Sequence, residues 1–105
     1  MPFANTLELQ IHFVKHGAKF GLSDAAEYEA MADAFMTGAM DANTRECTRP
    51  NLVDYLRLNF RNLHFGVLCL QNDSVRTFYP VEARLVRRRS GAAAYFRFEC
   101  GRTTL

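Results

Sequence analysis

Apolar and polar positions along the chain change period once, near Pro50, and the change separates a helical first half from a β-rich second half. Residues 5–16 open with Asn5-Thr6, either of which can cap a helix, and place Glu8 in the first turn, where it suits the helix dipole. Leu7, Ile11 and Val14 follow as a narrow apolar stripe, with Leu9 and Phe13 on a second arc. Alternation over 7–13 also admits a strand. The capping signals, with Gly17 well placed as a left-handed C-cap, predict the helix. A second helix is predicted over 24–37. Ser23 is its N-cap, Asp24 and Glu27 occupy its first turn, and Tyr28, Met31, Ala32 and Phe35 form its core face. Gly38 closes it, and Glu29 and Asp33 fall on the solvent side. Residues 39–51 mix Asp, Asn, Thr, Arg and Pro50 without a period, which predicts a loop.

After Pro50 the pattern is of period two. Val53, Tyr55 and Arg57 alternate with Leu52, Asp54, Leu56 and Leu58. Asn59–Asn62 is a turn, and Leu63–Leu70 is apolar on both faces, as in a central strand. Gln71–Ser74 is a second turn leading into a strand over Val75–Tyr79, whose end Pro80 demotes. Ala83–Arg88, Ser90-Gly91 and Ala92–Cys100 predict a last hairpin, with Phe96, Phe98 and Cys100 on one side and Tyr95, Arg97 and Glu99 on the other. The sum is an α+β domain in which two N-terminal helices pack on one face of a four- to five-stranded antiparallel sheet. Its 105 residues make one domain, 1–105, with no repeat or linker.

Composition adds three things to this pattern. Cys47, Cys69 and Cys100 are widely spaced and contain no C-x-x-C pair, which predicts reduced thiols used as small hydrophobes, in a reducing compartment. No apolar run has membrane-spanning length and no signal-peptide core is visible, so no membrane anchor is expected in this segment. The net charge of +2 hides an asymmetry. From residue 76 onward seven arginines face only Glu82 and Glu99, whereas the preceding residues carry six basic and nine acidic groups. A basic half without lysine favours planar, bidentate phosphate contacts.

The stretch His12-Phe13-Val14-Lys15-His16-Gly17 holds two of the three histidines and one of the two lysines. On a helix, His12 and His16 stack one turn apart with Lys15 beside them. On the strand 75–79, Thr77 and Tyr79 share a face while Phe78 takes the other, so Phe78 in the core leaves two hydroxyls on the open face. Arg57 on a neighbouring strand can supply a guanidinium. Cleaving RNA without a metal requires a base for the 2′-OH, an acid for the 5′-oxygen and donors for the non-bridging oxygens. His12, His16, Lys15, Arg57, Thr77 and Tyr79 include each type. His64, between Leu63 and Phe65, reads as structural. Other chemistries are excluded by motif. The His-x-x-x-His spacing has Phe13 where a zincin helix needs Glu, Gly17–Gly21 lacks the P-loop pattern, and there is no G-x-S-x-G. No metal or other cofactor is expected.

The residues also resemble a bacterial family. His12-Phe-Val-Lys-His16-Gly17-Ala-Lys-Phe20-Gly, then Ser23, Glu27-Tyr28, Ala32 and Phe35, is similar to the "H-x-x-K-H-G-x-x-F … S … E-Y … A-x-x-F" helices of toxin domains with the barnase–EndoU–colicin–RelE fold. Phe65-Gly-Val-Leu and Val75-Arg-Thr-Phe-Tyr79-Pro80 resemble that family's "F-A-V … I-R-T-F-F-x-P" hairpin. The likeness runs over about residues 7–80 and leaves out 83–100; Leu58–Arg61 stands where the family has a Tyr-Asp-Pro-like turn. It implies a metal-independent ribonuclease toxin, cutting RNA such as tRNA, of the kind used in interbacterial competition and contact-dependent growth inhibition or carried by phage and toxin–antitoxin loci. A cognate immunity protein would neutralise it. Such a domain acts in the bacterial cytoplasm, delivered from another cell as the C-terminal part of a secreted protein. Carried onto matching positions, the site is His12, Lys15 and His16 with Arg76, Thr77 and Tyr79. In the expected mechanism His16 and His12 exchange protons, Lys15 with Arg57 or Arg76 holds the scissile phosphate, Thr77 and Tyr79 orient it, and Arg84, Arg87, Arg88 and Arg89 track the RNA backbone. The alternatives are a non-catalytic RNA- or protein-binding module using the Arg-rich C-terminal face, and an NAD-consuming toxin.

Overall fold

The computed structural model describes residues 2–102. It is an α+β fold of four helices and one antiparallel sheet, in the order α1 (Thr6–His16), α2 (Ala25–Thr37), β1 (Thr44–Thr48), β2 (Asp54–Asn59), β3 (His64–Cys69), β4 (Ser74–Pro80), α3 (Ala83–Arg88) and α4 (Ala92–Gly101). The strands form a meander, β1-β2-β3-β4. Among the described residues no helix is long and apolar enough to cross a membrane.

α1 is capped by Asn5, whose side chain accepts from the Glu8 N–H at 2.8 Å. Its orientation reverses the expectation. Leu7 and Val14 are 67% and 80% exposed and Ile11 is exposed as well, while Leu9, with Phe13 against it, enters the core. The inward arc is therefore Leu9, His12, Phe13 and His16, and the aliphatic stripe faces out. Gly17 is right-handed (φ −57°), not a left-handed cap; a Cβ there would run into the Phe13 ring, so the position is small because Phe13 crosses it. A 3₁₀ turn over Gly17–Phe20 follows, and the left-handed residue is Gly21 (φ 73°). Asp24, not Ser23, caps α2 by accepting from the Ala26 and Glu27 N–H groups.

Tyr28, Ala32 and Met36 of α2, with Leu9 and Phe3, close over Leu68, Val75 and Phe78 to form the first core. Phe20 stacks on Phe78 with centroids 4.6 Å apart, and the Tyr28 hydroxyl donates to the Phe78 carbonyl. His64 packs edge-on against Phe20 at 4.9 Å and Phe78 at 6.0 Å, a packing role as expected.

Three further expectations fail. Residues 39–51 are not all loop, because Thr44–Thr48 pairs with β2 as a short polar edge strand whose composition carries no period. The C-terminal hairpin is instead the helix pair α3–α4, and it covers the second face of the sheet with a second core of Val86, Tyr95 and Phe96 against Leu56, Leu58, Phe65 and Val67. Helices thus lie on both faces. The run Ala92–Ala94 is the signal that favoured helix; Phe96, Phe98 and Cys100 mimic a strand, but burial falls on Tyr95, Phe96 and Glu99, four residues apart at the ends. Finally, Cys47 and Cys100 are not free thiols: a disulfide ties β1 to α4, with Cα atoms 6.1 Å apart, and only Cys69 is free.

Candidate active-site cleft

A bulge in β4 sets the geometry. Val67 pairs with Thr77 and Leu68 with Val75, leaving Arg76 as the extra residue. Val75 and Phe78 therefore both enter the first core, while Thr77 and Tyr79 turn to the second face. There they meet a cleft of about 260 Å³ that Phe65, Val67, Arg49, Arg76, Glu99 and Arg102 also line.

A chain of ion pairs forms one wall. Arg76 Nε lies 3.2 Å from Asp54 Oδ1, an ion pair without the alignment of a hydrogen bond. Arg49 Nη1 reaches Asp54 Oδ2 at 3.4 Å. Arg49 Nε and Nη2 donate to the Glu99 carbonyl (2.8 Å) and carboxylate (2.9 Å), and Arg102 Nη1 donates to the same carboxylate at 3.1 Å. Asp54, Arg49 and Glu99 are 0%, 4% and 5% exposed. Three guanidiniums meet two carboxylates, so the wall keeps one surplus positive charge. Tyr95 stands behind it. Burial, then the Tyr79 hydroxyl and the Glu99 carboxylate, push its phenol well up. Burial and Glu99 also raise Tyr79, against the opposing pull of Tyr95, Arg102 and Arg49. Both phenols are hydrogen-bond donors at neutral pH.

β4 is the sheet edge, and the C-terminal end of α1 reaches it. The His16 ring stacks on Tyr79 with centroids 5.0 Å apart and planes at 27°. Burial, then the charges of Lys19, His12 and Lys15, lower the His16 pKa to about 4, so the ring is neutral at pH 7. His12 lies 6.0 Å from His16 and stacks on Phe3 at 5.6 Å, with Nε2 3.7 Å from Glu8. Burial lowers its pKa too, against the opposing Glu8. Nδ1 of each histidine is buried without a hydrogen-bond partner among the described residues.

Of the residues singled out in the sequence, the fold brings together His16, Tyr79, Thr77 and Arg76. His12 stands one ring further back, and Lys15 is exposed on α1, where its charge acts on both imidazoles. Arg57 is elsewhere. It points to the α1–α2 side, where Nη1 donates to the Phe35 and Gly38 carbonyls at 3.0 and 2.7 Å and Nε to the Tyr55 hydroxyl. Its guanidinium caps the C-terminus of α2. Arg84 pairs with Glu82 at 2.7 Å, and Arg87 and Arg88 are exposed on α3; none of the three lines the cleft. Arg49, Tyr95, Glu99 and Arg102 were not singled out. Strand alternation puts Glu99 with Tyr95 and Arg97, opposite Phe96 and Cys100, whereas the helix buries it together with Tyr95 and Phe96.

Compared with protein-family models, curated proteins and solved structures, the chain matches none.

Proposed function

We propose that the protein is a metal-independent endoribonuclease whose site is the mouth of this cleft, and that it acts as a toxin held in check by an immunity protein. The observation that carries the reading is the stacking of His16 on Tyr79 beside Thr77 and the guanidiniums of Arg76 and Arg102. Neutral His16 is the base. It takes the 2′-OH proton, the 2′-oxygen attacks phosphorus, and the bond to the 5′-oxygen breaks. Neither imidazole is protonated at neutral pH, so the Tyr79 hydroxyl is the donor that protonates the leaving 5′-oxygen. His16 returns its proton to Tyr79 as the cycle closes. Arg76 and Arg102 stabilise the charge that develops on the non-bridging oxygens, and Thr77 orients the phosphate. Burial first, then the charges of Lys19 and Lys15, keep His16 neutral, and His12 backs its ring. The toxin role, the immunity partner and action in the cytoplasm of a target bacterium rest on the family resemblance; the Cys47–Cys100 disulfide suits passage through an oxidising exterior.

The test is incubation of total RNA and a labelled oligoribonucleotide with the protein, with and without EDTA. Cleavage that survives EDTA, leaves cyclic 2′,3′-phosphate ends and falls by a factor of about 10² or more in His16→Ala is expected. Intact RNA at large protein excess overturns the reading. One observation favours a second reading, a non-catalytic binding module: Arg49, Arg76 and Arg102 are already engaged with Asp54 and Glu99. In that case His16→Ala leaves RNA binding unchanged and no cleavage is seen in either protein.

A further inference from the structure

The surface that the proposed mechanism leaves unused is the outer side of the α3–α4 pair. Residues 83–102 carry six arginines, and the single acid among them, Glu99, is buried and paired. Within this field stands Phe98. The helix buries Tyr95, Phe96 and Glu99, so Phe98 lies off its core face and remains 41% exposed. The Arg89 guanidinium carbon lies over the Phe98 ring, 3.5 Å from its centroid. Arg102 approaches the same ring at 5.9 Å while its Nη1 reaches Glu99 at the cleft wall. Arg102 therefore belongs to both the ring and the cleft.

We propose that this surface is a platform for single-stranded RNA, on which an unpaired base stacks on the part of the Phe98 ring that Arg89 leaves exposed and the backbone passes Arg102 into the cleft. The identity of the occupant rests on the nuclease reading and deepens it by naming unpaired RNA as the substrate. An exposed ring among arginines offers what an unstacked base needs, a π-face with cations alongside for the phosphates. A duplex keeps its bases stacked on one another and gives a lone ring nothing to cover. An acidic protein would be held by the arginines alone and would leave the ring without a role.

The experiment uses the full chain and a 2′-O-methyl oligoribonucleotide of about twelve residues, which binds but cannot be cleaved, read by fluorescence anisotropy over a salt series. The expected result is preference for the single strand over the same sequence in a duplex. Phe98→Ala should weaken binding about tenfold with the salt slope unchanged, while Phe98→Trp retains it. Arg89→Gln should reduce the salt slope by about one. Circular dichroism and the thermal midpoint of each variant separate loss of contact from loss of fold. The platform is overturned if Phe98→Ala binds as wild type, if folded Phe98→Trp is as weak as Phe98→Ala, or if polyglutamate competes as well as the oligonucleotide. Failure of the two proposals is distinguishable. Binding through Phe98 without cleavage of ordinary RNA removes the nuclease and keeps the platform; cleavage with an unchanged KM in Phe98→Ala removes the platform and keeps the nuclease.

Discussion

The two faces of the sheet are covered in opposite ways. Under α1 and α2 lies a core of rings and aliphatic groups: Phe3, Tyr28, Phe20 and Phe78, whose one buried polar contact of note is the Tyr28 hydroxyl on the Phe78 carbonyl. Under α3 and α4 a second apolar core gives way, on the cleft side, to the chain Arg76–Asp54–Arg49–Glu99–Arg102. The first face derives its stability from area removed from water. The second holds desolvated charges, which contribute little net stability when complete and cost heavily when broken. A disulfide sits on the second face, where a six-residue and a ten-residue helix must be kept over the strands. The face that holds charge in place is the one that carries the proposed chemistry.

The comparison can be broken most forcefully at its two centres. Phe78→Ala and Arg49→Ala should each cost about 3–5 kcal/mol in urea unfolding, the first by leaving a cavity, the second by stranding buried Asp54 and Glu99. They part in the rescue. Replacing Arg49, Asp54 and Glu99 together with apolar residues of similar volume should restore most of the loss, whereas no polar change repairs Phe78→Ala. If Arg49→Ala is as stable as wild type, the charged face is not a unit.

Next in size is the disulfide. Cys47 and Cys100 are 53 residues apart, and opening a loop of that length is worth about 4 kcal/mol in the chain-entropy treatment. Reduction by a dithiol, or Cys100→Ser, should lower the thermal midpoint. The protection of α4 amides from hydrogen exchange should fall before that of α2. Equal loss in both helices would mean that the two faces do not open separately.

The smallest effect sharpens the boundary where the faces meet, at His16. Its pKa is lowered by burial to about 4, so between pH 6.5 and about 4 the unfolded chain binds a proton that the native state does not. Stability should fall as pH drops through that window and stop changing on this account below it. In His16→Gln the dependence should flatten. The acid limb of RNA cleavage, in the proposed mechanism, should lie near pH 4 rather than 6.5. A histidine NMR titration that places His16 at 6.5 would contradict both.

Local signals in the chain determined α1, α2, the three longer strands and the turns between them, because caps, glycines and period-two alternation act within a few residues. They also made His12 and His16 share a helix edge and Thr77 and Tyr79 share a strand face. Which arc of α1 turns inward was decided only in the folded state: Phe3, Tyr28 and the sheet edge accept Leu9, Phe13 and two imidazoles, and the aliphatic stripe is left outside. The same holds for α4, where alternating aromatics read as a strand until the second sheet face had to be covered. Arg49, Glu99 and Arg102, and the pairing of Cys47 with Cys100, join positions about fifty residues apart. Such contacts leave no period in the sequence, since ion pairs and disulfides are selected by proximity in space, and that proximity exists only after the sheet and its two layers of helices have closed.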